Sequence, residues 1–339
     1  MQHPNKGVLL VNLGTPDSPS TSDVRKYLRE FLMDERVIDI AYWKRSLLVN
    51  GIIAPIRGPK SAKEYQKVWT DEGSPLFVYG KKLTEKVREI IGDKYQVELA
   101  MRYQNPSIAS VLEKFNNKGF EEIIVLPLFP QYASATTGSV VQKVNEVIGK
   151  WQIIPKVKFI SKFPDHPKFI KSFGELGKKY MAEDDYDHFL FSFHGLPERQ
   201  IYKGSTGNHC RLGTCCEKYT SKNAFCYRAQ CFQTARKIAE YLHLEPEQYS
   251  IAFQSRLGRD PWIQPYIDDT IENLQKSDVK KLLVFSPAFI ADCLETTVEI
   301  GREYKEDFEE KGGEKLQLVE SLNVNENWIE TVVDLIEEV

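Results

Sequence analysis

The segment DHFLFSFHGLPER, residues 187–199, places an imidazole where chemistry is commonly done. Residues 188–193 form an apolar run that stops at His194, Gly195 and Pro197. An apolar run closed by turn residues is how a core strand of a parallel sheet reads. In α/β proteins the ends of such strands open onto the ligand crevice. A histidine there is either a strand-end cap or a working base or ligand. Further along, Asp292, Glu295, Glu299 and Glu303 open a long helical pattern. Glu295, Glu299 and Glu303 are spaced by four and predict one ridge of an α-helix. Like charges so spaced repel weakly, which an exposed ridge tolerates. A ridge facing a cleft would instead draw in cations. A neutral imidazole with a carboxylate is a sensible ligand set for a borderline divalent ion such as Fe²⁺. A site of one imidazole and a carboxylate would hold the metal loosely, which suits a metal that is passed on.

The second constellation is sulfur. Of six cysteines, five fall within residues 210–231, spaced C-x₄-CC-x₉-C-x₄-C. This is neither the paired C-x₂-C of a zinc ribbon nor the plant ferredoxin spacing. Two readings stand: reduced free thiols, or a soft-metal site.

The rest of the chain must position these groups. Its 339 residues allow two domains. An apolar content of 42% and a charged content of 27% describe an ordinary globular chain. The net charge of −3 argues against a nucleic-acid footprint. No apolar run reaches the length of a membrane-spanning helix, and residues 1–14 lack a signal peptide's pattern, so a cytoplasmic chain with reduced thiols is expected. Strands are expected at residues 7–13, 97–101, 123–128, 156–160, 188–193, 249–254, 281–285 and 316–319. Ser20 and Asp23 start a first helix with a 3.6-residue apolar period. Residues 37–53 are apolar and aromatic and read either as a buried helix or as a lip over a large flat ligand. A turn is expected at residues 55–59, where Arg57 is available to an anion. The small hydroxylated loop of residues 129–139 could bind an anion at the next helix start. Asp260 and Pro261 read as the start of another helix.

Two stretches match in order: ELAMRYQNPSIASVL…EEIIVLPLFPQYASATTG and SIAFQSRLGRDPWIQPYI…KKLLVFSPAFIADCLETT. This internal duplication predicts an α/β protein of two Rossmann-like, doubly wound domains with parallel four-stranded sheets. The boundaries fall at residues 1–162 and 163–322, with the Cys-rich insert at 200–231. Residues 323–339 form a C-terminal helix expected to pack back on the first domain.

The motifs LLVNLGTP, GSPL, MRYQNP, PQYASATTGS, SFHGLP, FQSRLGRDPW and SPAFIADCLET run in order from about residue 7 to 325. With them the sequence resembles the ferrochelatases, lyases that insert ferrous iron into a porphyrin in haem biosynthesis. The resemblance implies two Rossmann-like domains with a porphyrin cleft between them. It makes His194 and Glu295 the catalytic and metal-site pair, with Fe²⁺ as substrate. Glu299 and Glu303 match an acidic line along which iron would travel. Leu13, Arg57, Arg102, Tyr103, Tyr132 and Trp262 are expected at the porphyrin. Leu13 stands where some Gram-positive relatives, which use coproporphyrin, carry tyrosine, and this favours protoporphyrin IX. Cys293 stands where many relatives carry histidine. Some bacterial members carry a [2Fe–2S] cluster on an internal insert, and the cysteine segment resembles theirs. Five thiols then compete for four positions, with Cys210, Cys215, Cys216 and Cys226 favoured and Cys231 the spare. The expected partner is the porphyrin, with haem-pathway enzymes as neighbours and no nucleic acid. The apolar stretch at 43–53 allows peripheral contact with the inner face of the cell membrane, if it is not a buried helix. The rivals are a coproporphyrin or sirohydrochlorin chelatase and a non-catalytic haem or iron sensor. An NAD oxidoreductase is disfavoured, because no strand is followed by G-x-G-x-x-G.

Overall fold

The computed structural model describes residues 5–256, 258 and 260–339. Leu257 and Arg259 of the FQSRLGRDPW motif and residues 1–4 lie outside the described residues. The chain divides into two units. One comprises residues 1–129, 134–161 and 329–339, and the other residues 130–133 and 162–328.

Each unit holds one parallel four-stranded sheet. The first contains β1 (Lys6–Gly14), β2 (Gln96–Tyr103), β3 (Glu122–Pro127) and β4 (Lys156–Phe159) in the order β2-β1-β3-β4. The second contains β5 (His188–His194), β6 (Tyr249–Gln254), β7 (Lys281–Phe285) and β8 (Lys315–Leu318) in the equivalent order β6-β5-β7-β8. The helices are α1 (Thr21–Leu32), α2 (Tyr42–Leu48), α3 (Ala54–Val68), α4 (Pro75–Ile91), α5 (Ile108–Lys118) and α6 (Ser139–Ile148). They continue with α7 (Pro167–Glu183), α8 (Glu198–Gly204), α9 (Tyr227–Tyr241), α10 (Ile267–Lys276), α11 (Lys305–Glu310) and α12 (Glu326–Glu337).

Alternation along the strands explains the layers. Ala100 of β2 joins Leu9, Val11, Ile123 and Val125 in a core with α5 and α6. Its neighbour Leu99 turns the other way, to Gly80 of α4. The second unit repeats this: Leu190, Ala252, Leu282 and Val284 pack with Ile267 and Ile271 of α10. Phe285, one residue past Val284, meets Gly177 of α7 on the opposite face. Sheets so covered are buried on both sides, which is why their strands are nearly uninterrupted apolar runs. The duplication therefore holds residue by residue, with Ala100 matched by Ala252 and Ile108 by Ile267.

Four local expectations change. The turn at residues 55–59 is helical and belongs to α3. Pro59 has no N–H to give the Pro55 carbonyl, and Arg25 Nη2 donates to that carbonyl at 3.3 Å instead. The apolar stretch holds α2 and a π-helix (Val49–Ile53) that leads into α3, and apart from buried Val49 its large apolar side chains are mostly exposed. Trp43, Leu47, Ile52 and Ile56 are 51–68% exposed. The hydroxylated loop winds from Ser134 to Gly138 as a π-helix running straight into α6, so the helical course begins before α6. Asp260 and Pro261 do not begin a helix, because this backbone pairs with the start of α8: Glu198 N donates to Pro261 O at 2.9 Å and Ile263 N to Leu196 O at 2.9 Å.

Candidate active site

β5 ends at His194, and β5 lies between β6 and β7, where the strand order reverses. Ligand crevices in doubly wound sheets form at this position. Gly195 follows because nothing larger fits. A Cβ there would stand 2.9 Å from Gln254 O and 3.0 Å from Trp262 Cε3. The His194 ring is half-buried, with its centroid 6.3 Å from Trp262 and 6.5 Å from Phe289. Its Nδ1 lies 2.6 Å from Gly195 O. A carbonyl only accepts, so Nδ1 is the donor in this bond, and in the neutral ring Nε2 is the atom that can take a proton or a metal ion. The backbone at His194 is fixed from behind, where the Tyr227 hydroxyl donates to His194 O at 2.9 Å.

The carboxylates come from the segment after β7. The expected α-helical ridge is wound instead as a π-helix (Leu294–Tyr304). With i→i+5 bonds, Glu295 and Glu299 are half-buried and Glu303 is exposed. Gln254, 1% exposed, gathers the parts. Its Oε1 accepts from Ser192 Oγ at 2.7 Å. Its Nε2 donates to Glu295 O and to Glu299 Oε2, each at 3.0 Å. Ser255 Oγ adds a bond to Glu299 Oε2 at 2.8 Å. Burial pushes the Glu299 carboxyl above its ordinary range, and the negative charge of Glu295 adds to this. The bonds from Ser255 and Gln254 and the nearby His194 oppose the rise without cancelling it. Glu299 therefore holds a proton more readily than an exposed glutamate.

On its outer side Glu299 borders a groove of about 520 Å³. Asp268, Glu272, Glu303 and Asp307, all exposed, line it with Glu299 and with Lys311, which pairs with Asp307 at 2.7 Å, so acids outnumber the one lysine. Asp292, the first acid of the ridge, faces elsewhere: its carboxylate accepts from Asn323 Nδ2 at 2.9 Å and from Ser321 N at 3.3 Å. Cys293 caps the π-helix, with its thiol pushed up by burial and by Glu295.

In the first unit, Leu13 is half-buried at the end of β1. Gly14 follows at φ 121°, where an added Cβ would stand 2.1 Å from Tyr103 O. Arg102 and Tyr103, at the end of β2, converge on Asp34. Its Oδ2 accepts from Arg102 Nη2 at 2.6 Å, Tyr103 OH at 2.9 Å and Ser139 Oγ at 2.5 Å. Arg57 is exposed on α3. Tyr132 groups with the second unit: its N donates to Gln230 Oε1 at 2.7 Å, and its ring meets Phe225 edge-on at 5.4 Å.

The cysteine segment folds against α9. All six cysteines are free thiols. Cys215 and Cys216 Sγ are 3.9 Å apart. Cys210 bonds to Cys215, and Cys216 to Cys226, the residue that caps α9. Burial and the Cys215 contact push the Cys210 thiol up to about 11. The hydrogen bond from Cys216 lowers Cys226 and raises Cys216. Cys231, fully buried in α9, pairs with the Tyr227 hydroxyl. The loop is tied down by Asn223 Nδ2, which donates to Cys215 O and Lys218 O at 2.8 Å, and by Arg236, which donates to Cys216 O and Glu217 O. Among the described residues, no three His, Cys, Asp or Glu side chains stand ready to hold a single metal ion. The motifs alone do not single out Gln254, Ser255, Asp34, Ser139 or Tyr227. Only Gln254 and Ser255 carry a signal, their place at the end of the strand beside β5.

Two solved structures show the likeness of fold. SirB from Bacillus subtilis with Fe³⁺ matches over 98% of this chain and 94% of its own, with a TM-score of 0.53 and 10% identity. The sirohydrochlorin chelatase SirB from B. subtilis subspecies spizizenii in complex with cobalt gives a TM-score of 0.54, also at 10% identity and over the same shares of the two chains. At this identity the likeness is one of fold. Sequence relatives are nearer. The ferrochelatase of Coxiella burnetii (strain Dugway 5J108-111) is 45% identical over 334 residues, which is 97% of this chain and 92% of that protein. The ferrochelatase of Legionella pneumophila (strain Lens) is 43% identical over 98% of this chain and 99% of its own. The ferrochelatase family model matches residues 5–339, and the chain belongs to the ferrochelatase family.

Proposed function

We propose that the porphyrin substrate of this ferrochelatase is protoporphyrin IX, into which it inserts Fe²⁺ with release of two protons to give protohaem. Leu13, rather than tyrosine, at the end of β1 favours this porphyrin over coproporphyrin. A planar porphyrin resists metal because its pyrrole N–H protons must leave and the ring must bend. Binding of its apolar face can drive that distortion. The observation that carries the assignment of roles is the 2.6 Å approach of His194 Nδ1 to Gly195 O. With Nδ1 turned to Gly195 O, Nε2 is the ring atom left to act as base or ligand at the strand end. His194 accepts a pyrrole proton there or ligates the entering iron, and Glu295 assists. Glu299, with its raised affinity for a proton, takes part in passing protons away. The acidic groove supplies the iron path, through exposed Glu303 to half-buried Glu299. Leu13, Arg57, Arg102, Tyr103, Tyr132 and Trp262 contribute to the porphyrin's surroundings, Trp262 beside His194.

The test is anaerobic incubation with Fe²⁺ and either protoporphyrin IX or coproporphyrin III, read by absorbance. The expected result is metallation of protoporphyrin IX at the higher kcat/KM, and a roughly 10²–10⁴-fold loss in His194→Ala. Preference for coproporphyrin would overturn the substrate. Near wild-type turnover by His194→Ala would overturn the role of His194. Tight haem retention without turnover would favour a sensor.

Two finer readings accompany this one. No helix among the described residues is long and apolar enough to cross a membrane. The exposed Trp43, Leu47, Ile52 and Ile56 suit peripheral contact with the inner face of the cell membrane, where a greasy porphyrin is exchanged with neighbouring pathway enzymes. The cysteine segment suits a [2Fe–2S] cluster on Cys210, Cys215, Cys216 and Cys226. Four thiols on one tethered loop, each against another, are a fitting donor set, and Cys231, paired with Tyr227, is the spare. When bound, such a cluster supplies a one-electron couple and a cross-link of the loop.

A further inference from the structure

Arg228, two residues after Cys226, is buried at 6% exposure. A buried guanidinium stays charged and requires an anion or a full set of acceptors. This one has neither. Its Nε donates to Gln264 O at 3.0 Å, and its Cζ sits 4.3 Å over the centroid of the Phe232 ring. Its Nη1 is buried with no hydrogen-bond partner. No carboxylate pairs with it among the described residues. The groups that it does face are thiols: Cys216 is its neighbour, and Cys210 and Cys231 lie within reach of its charge. The carbonyl and the ring fix the guanidinium plane from two sides, so its free edge is not free to wander.

We propose that Arg228 is the fixed counter-charge of the cysteine site and makes its bound cluster easier to reduce. The proposal rests on the [2Fe–2S] reading. Four thiolates around an oxidised [2Fe–2S]²⁺ core carry a net charge of about −2, which becomes about −3 when one electron from an external reductant such as dithionite is added. A buried cation beside the thiolates stabilises the added charge more than the resting one. Its removal therefore disfavours the reduced form. A merely structural peg, holding α9 to the Gln264 backbone, would make no such distinction between charge and shape.

The experiment compares the full wild-type chain with Arg228→Gln and Arg228→Lys, all purified anaerobically. Iron and acid-labile sulfide are counted, and the cluster is titrated with dithionite against mediators, read by visible absorbance and electron paramagnetic resonance. Arg228→Gln is expected to shift the oxidised-to-reduced ratio at fixed potential about tenfold towards oxidised, which is about 59 mV for one electron. Arg228→Lys, which keeps the charge, is expected to stay closer to wild type. If Arg228→Gln holds no cluster while Arg228→Lys does, the charge requirement stands. A wild-type chain without iron and sulfide overturns the cluster and this role together. A wild-type cluster whose potential Arg228→Gln leaves unchanged overturns the role alone. So does a Lys variant that shifts, or loses its cluster, as fully as the Gln variant.

Discussion

Asp34→Asn should be among the most damaging single-atom-scale changes in the first unit. The Asp34 side chain is 5% exposed and its partner Arg102 14%. One carboxylate receives four donors: Arg102, Tyr103 and Ser139 at Oδ2, and Arg36 N at Oδ1 at 2.7 Å. Burial alone would raise its pKa. The bonds from Ser139 and Arg36 N, the charge of Arg102 and the bond from Tyr103 outweigh burial and hold it below the ordinary range. Asparagine keeps the shape, removes the charge and turns an NH₂ towards donors. Two unit charges about 4 Å apart at an effective dielectric near 20 attract by roughly 4 kcal/mol. Stranding one partner of a buried pair typically costs about 3–5 kcal/mol, so a loss of about 3–5 kcal/mol is expected. Because the chain has two units, a global denaturation curve could blur the effect. Hydrogen exchange of residues 96–103 and 139–148, which meet at this carboxylate, reads it locally. The decisive comparison is a double-mutant cycle of Asp34→Asn with Arg102→Gln, with an expected coupling of about 2 kcal/mol or more. Costs that add within about 0.5 kcal/mol would refute the reasoning. The pH dependence has a fixed sign. With a depressed folded pKa, the contribution of Asp34 is present above its unfolded value of 3.8 and is lost as pH falls through the folded value.

Glu299 carries the opposite sign. Its folded pKa is raised, so its contribution is complete below the unfolded value of 4.5 and is lost as pH rises through the folded value. Glu299→Gln should therefore gain stability relative to wild type as pH rises above 4.5, read from denaturant midpoints. A difference that does not change with pH would contradict the buried-carboxyl account. Tyr227→Phe removes the hydroxyl that donates to His194 O at 2.9 Å and leaves that carbonyl short of a partner. The expected loss is about 1–2 kcal/mol in urea unfolding, with lower kcat at little-changed KM, and an unmoved midpoint with full kcat would show that the bond does not position His194.

The sequence makes the scaffold legible because burial on both faces leaves a strong local mark. Residues 249–254 and 281–285 are found as strands at those bounds. The duplication is legible for the same reason, since Ala100 and Ala252 occupy equivalent places in matching layers. His194 stands out because a strand ends on it. What resists reading is set by partners distant in sequence. The helical course through Pro55 and Pro59 depends on Arg25 satisfying a carbonyl that Pro59 leaves bare. The non-helical course of Asp260 and Pro261 depends on backbone pairing with Leu196 and Glu198. A π-helix has no periodicity of its own in this stretch. Glu295, Glu299 and Glu303 fit an α ridge by spacing, and the winding that separates half-buried Glu299 from exposed Glu303 is visible only once Gln254 and Ser255 hold the Glu299 carboxylate. Gln254 is the clearest case, because its three side-chain contacts lie on two other elements and leave no mark in its neighbours in sequence.

The proposed reaction imposes a charge balance that these groups can meet. One dication enters the macrocycle and two protons leave it, so the porphyrin's own charge does not change. The surroundings must give up a cation on one side and take up two protons on the other. Exposed carboxylates are good at the first task and poor at the second, since at neutral pH they hold protons weakly. An imidazole at a strand end, and a glutamate that burial has made more basic, are suited to the second. The groove beside Glu299 has the first character, and the pair of His194 and Glu299 has the second. Glu299 borders both. A proton arriving on it neutralises the innermost charge of the groove and weakens its hold on a cation there. Proton uptake and metal release would then be linked through one side chain, and Glu299→Gln should slow turnover more than loss of any single outer carboxylate of the groove. Equal effects of Glu299→Gln and Glu272→Gln on kcat would show that the groove acts only through its summed charge.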